Sequence, residues 1–407
     1  MGPSNLERVE TVYLDHAATT PMRGAAVAAM LPLLAERFAN PSGSHRPARE
    51  ARRTVDEARD AVAATIGCQS GEVVFTGGGT EADNAAIAGA LWRRPGVAVC
   101  PAAEHHAVLN VVERHGGTVV GVDPFGRVDL DALDGALGPD VTVVSVMAVN
   151  NDVGVINDLA AVGDVVRRRS PGALLHTDAV QAACWLDLRE LWPRVDLLSL
   201  SAHKFGGPKG VGVLAVRAGA GLDPLIVGGG QERDRRSGTH NVAGIVATAV
   251  ALAATDAERP LDRARVGELR NRLVATVRGR VEGVRETVPV EHKVAGSAHL
   301  LVEGVESEAL LYLLDEAGVC ASAASACASG AMERSHVLAA MGVDPLLTKG
   351  ALRLTLGPAT TTAEVDRAID VLADAITTLR SRAARAGADV PSNDRRTSSP
   401  VSPEVPA

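Results

Sequence analysis

Short apolar runs at residues 97–100, 118–122, 141–146, 173–176, 197–201 and 211–216 alternate with stretches of helical pattern, and nothing else in the chain constrains its fold as much. Strand, crossover and strand in that rhythm predict an α/β fold with a mainly parallel sheet covered by helices. In such sheets ligands bind beyond the carboxyl ends of the strands. The polar residues that follow the runs therefore belong together: Glu104-His105-His106, Asn150-Asn151-Asp152, His176-Thr177-Asp178-Ala179-Val180-Gln181 and Ser201-Ala202-His203-Lys204. Any one of them is more often a cap or a turn. Four in succession at strand ends predict a site.

Two further features say what such a site would hold. Residues 73–75 form a short strand that runs into Thr76-Gly77-Gly78-Gly79-Thr80-Glu81-Ala82-Asp83-Asn84, after which 85–92 reads as helix. Strand, glycine turn and helix make an anion site, because the turn N–H groups and the helix N-terminus face the same way. Glycines alone mark an ordinary loop; Thr80, a hydroxyl donor where the helix begins, points to phosphate. The second feature is Lys204, between the 197–201 run and the turn containing Gly206, Gly207, Pro208 and Gly210. A lysine pinned at a strand edge can be desolvated, which lowers its pKa from about 10.4 and permits Schiff-base chemistry. Lys209, in the turn with no such flank, reads as a solvated lysine. Asp178 can pair with a ring nitrogen and keep it protonated. Schiff-base lysine, ring-nitrogen acid and phosphate turn together specify pyridoxal 5'-phosphate.

Composition narrows the remaining classes. The chain has 407 residues, 46% of them hydrophobic, and a formal net charge of -8 with acids and bases interspersed. No basic stripe suggests nucleic acid or an anionic membrane. No apolar run reaches the roughly 20 residues of a membrane span, and residues 1–10 lack a signal-peptide core, so a cytoplasmic location is expected. The cysteines Cys68, Cys100, Cys184, Cys320 and Cys327 lack CxxC spacing, so neither a disulfide framework nor a metal site is expected. Along the chain, 13–21 reads as a strand with a Thr/Pro stop and 50–66 as an amphipathic helix ending at Gly67. Beyond residue 241 two helical stretches follow, the second with Val266, Leu269, Leu273 and Val277 on one face. A strand at 300–302, a helix at 306–317, a small-residue loop at 321–330, a strand at 351–356 and a helix at 363–385 then suggest a smaller α+β unit. The division expected is 15–260 as a large cofactor-binding domain, 261–385 with 1–14 as a small domain carrying the cysteine loop, and 386–407 as a disordered tail.

The motifs YLDHAATTP, NPSGSH, GGGTEADN, EHHAV, VNNDVG, HTDAVQ, SAHKFGGPKGVG, GGGQE, RSGTHN, SAASACASG and RLTLG occur in that order. Through them, from Tyr13 to about Leu379, the chain resembles the NifS/IscS-like cysteine desulfurases of the class V aminotransferase group. The resemblance implies a pyridoxal-phosphate-dependent transferase of fold type I, with a seven-stranded sheet in the large domain. It implies conversion of L-cysteine to L-alanine, with the sulfur carried as a persulfide to an acceptor protein. Lys204 would carry the cofactor, Asp178 pair with its ring nitrogen and His105 stack on the ring and act as a base. Gln181 and Asn151 would bond cofactor or substrate oxygens. Gly79, Thr80, Ser201 and His203 would hold the phosphate, with Thr239 supplied by the partner in a homodimer. Arg353 would clamp the substrate carboxylate through its planar fork. Cys327 would be the persulfide nucleophile, touching an iron–sulfur cluster at most transiently. The chain departs from the family pattern at Asp152, commonly Glu, at Gly77, commonly Ser, and at Ala48, commonly Gly. Cys320 matches no family role. The rival readings are a selenocysteine lyase or other class V lyase on the same scaffold, and a cofactor-binding scaffold that docks sulfur acceptors.

Overall fold

The computed structural model describes residues 11–323 and 334–388. The chain enters on a short strand, β1 (Val12–Tyr13). The central sheet contains β2 (Val73–Thr76), β3 (Val97–Pro101), β4 (Thr118–Val120), β5 (Val141–Ser145), β6 (Leu174–Asp178), β7 (Leu197–Ser201) and β8 (Gly212–Val216). Its seven strands lie in the order β2-β8-β7-β6-β5-β3-β4. Pairs β3–β4, β3–β5, β5–β6 and β6–β7 are parallel, and only β8 runs against its neighbours. Residues of β5 and β7 are buried at every position, so apolar side chains fall on both faces of these strands, with Thr142, Ser145, Ser199 and Ser201 buried among them. β8 reverses because too few residues separate it from β7 for a helical crossover; Gly206 (φ 82°) and Gly210 (φ 77°) take the left-handed turns instead. Lys204 lies in that tight connection.

The remaining strands are β9 (Val284–Glu286), β10 (Ser297–Val302), β11 (Val319–Cys320) and β12 (Ala351–Thr355). β12, β10 and β9 form an antiparallel sheet, and β11 pairs parallel with β1. Isolated bridges join Thr355 to Asp15 and Arg353 to Ser322. Arg353 is thereby carried to the start of the chain and so to the central sheet.

The helices depart from the sequence reading in several places. The charged helix begins earlier, at Arg46, because the His45 ring accepts from the Ala48 amide and caps it. The helix Gly24–Ala35 was not anticipated: it is apolar nearly throughout and contains Pro32, so it shows no amphipathic period. The two helical stretches expected beyond residue 241 are one 39-residue helix, Val242–Arg280, with Pro260 inside it. A mid-helix proline costs about 3 kcal/mol. That cost is offset by burial on both sides of it, of Ile245, Leu252 and Thr255 before and of Val266, Leu273 and Val277 after. The final helix runs to Ala388 instead of Arg385. Among the described residues, no helix is long and apolar enough to cross a membrane.

Candidate active site

The carboxyl ends of the parallel strands open on a cavity of about 990 Å³. Of the residues singled out in the sequence, Gly79, Thr80, His105, Asn151, Asp178, Gln181, Ser201, His203, Lys204 and Arg353 all line it. Thr239 is exposed and is not among the lining residues. Cys327 lies outside the described residues, as does most of the 321–330 loop. Lys209 stands at the cavity's rim, exposed. Cys320 is on β11 and does not line the cavity.

Lys204 follows β7 in a single 3-10 turn. Its Nζ donates to the carbonyls of Ala17 at 2.5 Å and Ala18 at 2.8 Å. Burial, and then the positive charge of Arg353, pull its pKa down to about 8. The Ala17 carbonyl also accepts from Gln181 Nε2 at 2.8 Å, so one backbone oxygen orients both side chains.

The Gly77–Thr80 end of the cavity is built by glycine. A Cβ on Gly79 would lie 2.8 Å from Val180 Cγ2 and 3.2 Å from the Ser201 Cβ, so only glycine lets this turn close on the ends of β6 and β7. The helix Gly79–Arg93 has no side-chain cap at its N-terminus. Its first N–H groups have no intrahelical partner, which leaves donors and the positive end of the helix dipole facing the cavity. Glu81 is turned away from that role: its carboxylate accepts from the Gly77 amide at 2.9 Å and pairs with Arg236 at 2.9 Å. His203 Nδ1 lies 3.1 Å from Thr19 Oγ1, and burial with Lys204 and Lys209 nearby lowers its pKa to about 4. It is a neutral hydrogen-bonding group.

Asp178 ends β6, buried, with its Oδ1 accepting from the Val180 amide at 2.8 Å. Burial raises its pKa; His105 and Lys204 pull the other way. His105 caps the next helix, its Nδ1 accepting from the Ala107 amide at 3.1 Å, so a neutral ring carries its proton on Nε2.

Arg353 reaches in from β12. Its guanidinium donates to Asp15 Oδ1 at 2.8 Å and to the Asn151 carbonyl at 3.0 Å, lies 3.8 Å from Asp152 Oδ1, and leaves Nε without a hydrogen-bond partner among the described residues. Asp152 in turn accepts from Asn151 Nδ2 at 2.7 Å and from the Ser335 hydroxyl at 2.9 Å. The sequence reading missed Asp15, Ala17 and Ala18 as parts of the site. Backbone carbonyls leave no mark in a sequence, and Asp15 was legible only as part of the YLDHAATTP motif.

An uncapped helix N-terminus, a desolvated lysine, a buried carboxylate and a guanidinium around one cavity fit pyridoxal phosphate and an amino-acid substrate. Residues 12–368 match the family model for class-V aminotransferases. A cysteine desulfurase of Gluconacetobacter diazotrophicus is 41% identical over 381 residues, 91% of this chain and 95% of that protein. An IscS-like cysteine desulfurase of Mycobacterium tuberculosis is 42% identical over 393 residues, 92% of this chain and 98% of that protein. The solved structure of a NifS-like protein superposes with a TM-score of 0.84 at 32% identity, covering 90% of this chain and all of that one.

Proposed function

Because the chain belongs to the cysteine desulfurases of the class V aminotransferase family, we propose that it converts L-cysteine to L-alanine with pyridoxal phosphate and passes the sulfur on as a persulfide. The observation that carries this reading is the single cavity shared by Lys204, Asp178, Arg353 and the Gly79–Thr80 helix start. When bound, pyridoxal phosphate supplies an electron sink for the carbanion left when an amino acid loses its α-proton.

Each residue then has a task. The Gly79 and Thr80 N–H groups, with Ser201 and His203, hold the phosphate. Asp178 would hold a proton on the ring nitrogen, and His105 would stack on the ring. Lys204 would hold the cofactor through Nζ and, as a free amine, would move the substrate's α-proton, a role suited to an amine with pKa about 8. Arg353 binds the substrate carboxylate, and Asn151 and Gln181 bond to neighbouring oxygens. The Cys327 thiolate attacks the substrate sulfur: an S–S bond forms, the C–S bond breaks, and the carbon fragment takes up protons to leave as alanine. Thr239, exposed and outside the cavity of its own chain, would complete the phosphate site of a second copy in a homodimer. The persulfide then passes to an acceptor protein.

Borohydride reduction of the yellow holoprotein followed by peptide mapping tests the assignment. The cofactor should be found on Lys204. Label on Lys209 or elsewhere would reject it. Cys327→Ser should bind cofactor and cysteine yet lose alanine production, while Cys320→Ser keeps turnover; the opposite pattern would reject the persulfide step.

A further inference from the structure

Asp178 is not the only acid beneath the cavity. Asp83, from the helix that also carries Thr80, lines the same cavity and is 1% exposed. Its Oδ1 is buried without a hydrogen-bond partner among the described residues. Behind it lies a polar row across three central strands. His176 Nδ1 is 2.8 Å from Ser145 Oγ on β5, and His176 Nε2 is 2.9 Å from Ser199 Oγ on β7 and 3.6 Å from Asp83 Oδ1. Strand register sets this row, since Ser145 is opposite His176 and Ser199 opposite Asp178. His176 is fully buried and held uncharged, its pKa lowered to about 3. A neutral imidazole has one N–H. With Ser145 donating to Nδ1, Nε2–H donates to Ser199, whose hydroxyl is left to support Asp83.

The two aspartates have unequal surroundings. Asp178 has the Val180 amide and the charges of Lys204 and His105 to favour its carboxylate. Asp83 has as ionisable neighbours two more carboxyls, Asp178 and Glu104, and the uncharged His176 ring. Glu104 is itself fully buried, with Oε1 accepting from the Met147 amide and Oε2 without a partner among the described residues. Adjacent buried carboxyls do not both ionise, and the proton settles where the anion is supported least. Burial and Asp178 drive the Asp83 pKa well upward.

We propose that Asp83 is a positioning residue that carries the proton of the Asp83–Asp178 pair and so keeps Asp178 a carboxylate toward the cofactor's ring nitrogen. This rests on the reading that Asp178 faces that nitrogen. The phosphate-side helix thus does two things, presenting its N-terminus to the anion and, one turn later, a neutral acid behind the ring's partner.

Infrared spectra of apo- and holoprotein grown on [4-13C]aspartate test it at neutral pH. A protonated aspartic carboxyl band, shifted by the label, should be present in both forms and lost in Asp83→Asn. The Asp83→Asn holoprotein should keep the wild-type visible absorbance at neutral pH but lose the alkaline step that Asp83 ionisation imposes on it. Ser199→Ala, which removes the supporting hydroxyl, should shift the same infrared band and serves if Asp83→Asn does not fold. A labelled band unchanged in Asp83→Asn, or unmoved in Ser199→Ala, would overturn the proposal. If the band behaves as expected but the protein takes up no pyridoxal phosphate, the functional reading fails and the proton assignment stands.

Discussion

Two lysines, the half-buried Lys204 beside the central sheet and the buried Lys293 beside the three-stranded sheet, are both pulled down to a pKa of about 8 by desolvation. They are not equivalent. Lys293 is ion-paired with Glu286 from β9, beside the buried Arg270, and its side chain is 0% exposed. Lys204 makes its hydrogen bonds to two backbone carbonyls, lines a large cavity, and has a second cation, Arg353, near it. A carboxylate in contact holds an ammonium in place as a charge. Carbonyls orient it without neutralising it, and an approaching carbonyl carbon can displace them. A lowered pKa therefore marks a reactive lysine only where a cavity and an unpaired amine accompany it.

The comparison breaks most sharply under substitution. Lys204→Ala should lose turnover by on the order of 10³-fold or more, as befits loss of both the covalent anchor and the proton carrier, with the folded state retained by circular dichroism. Lys293→Met should show the reverse. Losing one charge-assisted hydrogen bond and leaving Glu286 with Arg270 as its remaining cation should cost about 1.5–3 kcal/mol in urea unfolding, while the visible cofactor band and the KM for L-cysteine persist. Unfolding that leaves Lys293→Met unaffected would erase the distinction between structural and reactive lysine.

A smaller effect sharpens the site itself. Arg353→Lys should raise the KM for L-cysteine by about 10–100-fold, the loss of one or two charge-assisted hydrogen bonds, with the cofactor spectrum unchanged in the absence of substrate. An equal loss in kcat with KM untouched would move Arg353 from binding to chemistry.

The pH dependence is smaller still, and its sign is fixed. Both lysines are more basic unfolded than folded, so between about 8 and 10.5 the unfolded chain binds more protons. Their contribution to apoprotein stability is unfavourable below about 8 and relaxes as pH climbs toward 10.5. Denaturation midpoints should rise with pH in both proteins, but in Lys293→Met only by the Lys204 share, so less than in wild type. Lys209→Ala, exposed at the cavity rim, should change turnover by no more than a few-fold.

The sequence by itself determined the central architecture and most of the site. Apolar runs buried on both faces imply parallel strands, and polar clusters at their ends imply a ligand edge, because both follow from local pattern and one topological rule. Lys204, Asp178 and the Gly79–Thr80 helix start were legible in this way; Arg353, far along the chain on β12, came from family motifs. Tertiary structure alone decided what each of these side chains touches. Asp15 meets Arg353 and the Ala17 carbonyl meets Lys204 only because β1 pairs with β11 and Asp15 bridges to Thr355. The single helix through Pro260 was decided by packing on both sides of the proline, which local propensity does not report. The row from Ser145 through His176 to Ser199, with Asp83 beside it, was invisible in sequence for the same reason. Its members are set by the register of three strands and one helix, and register is a property of the assembled sheet.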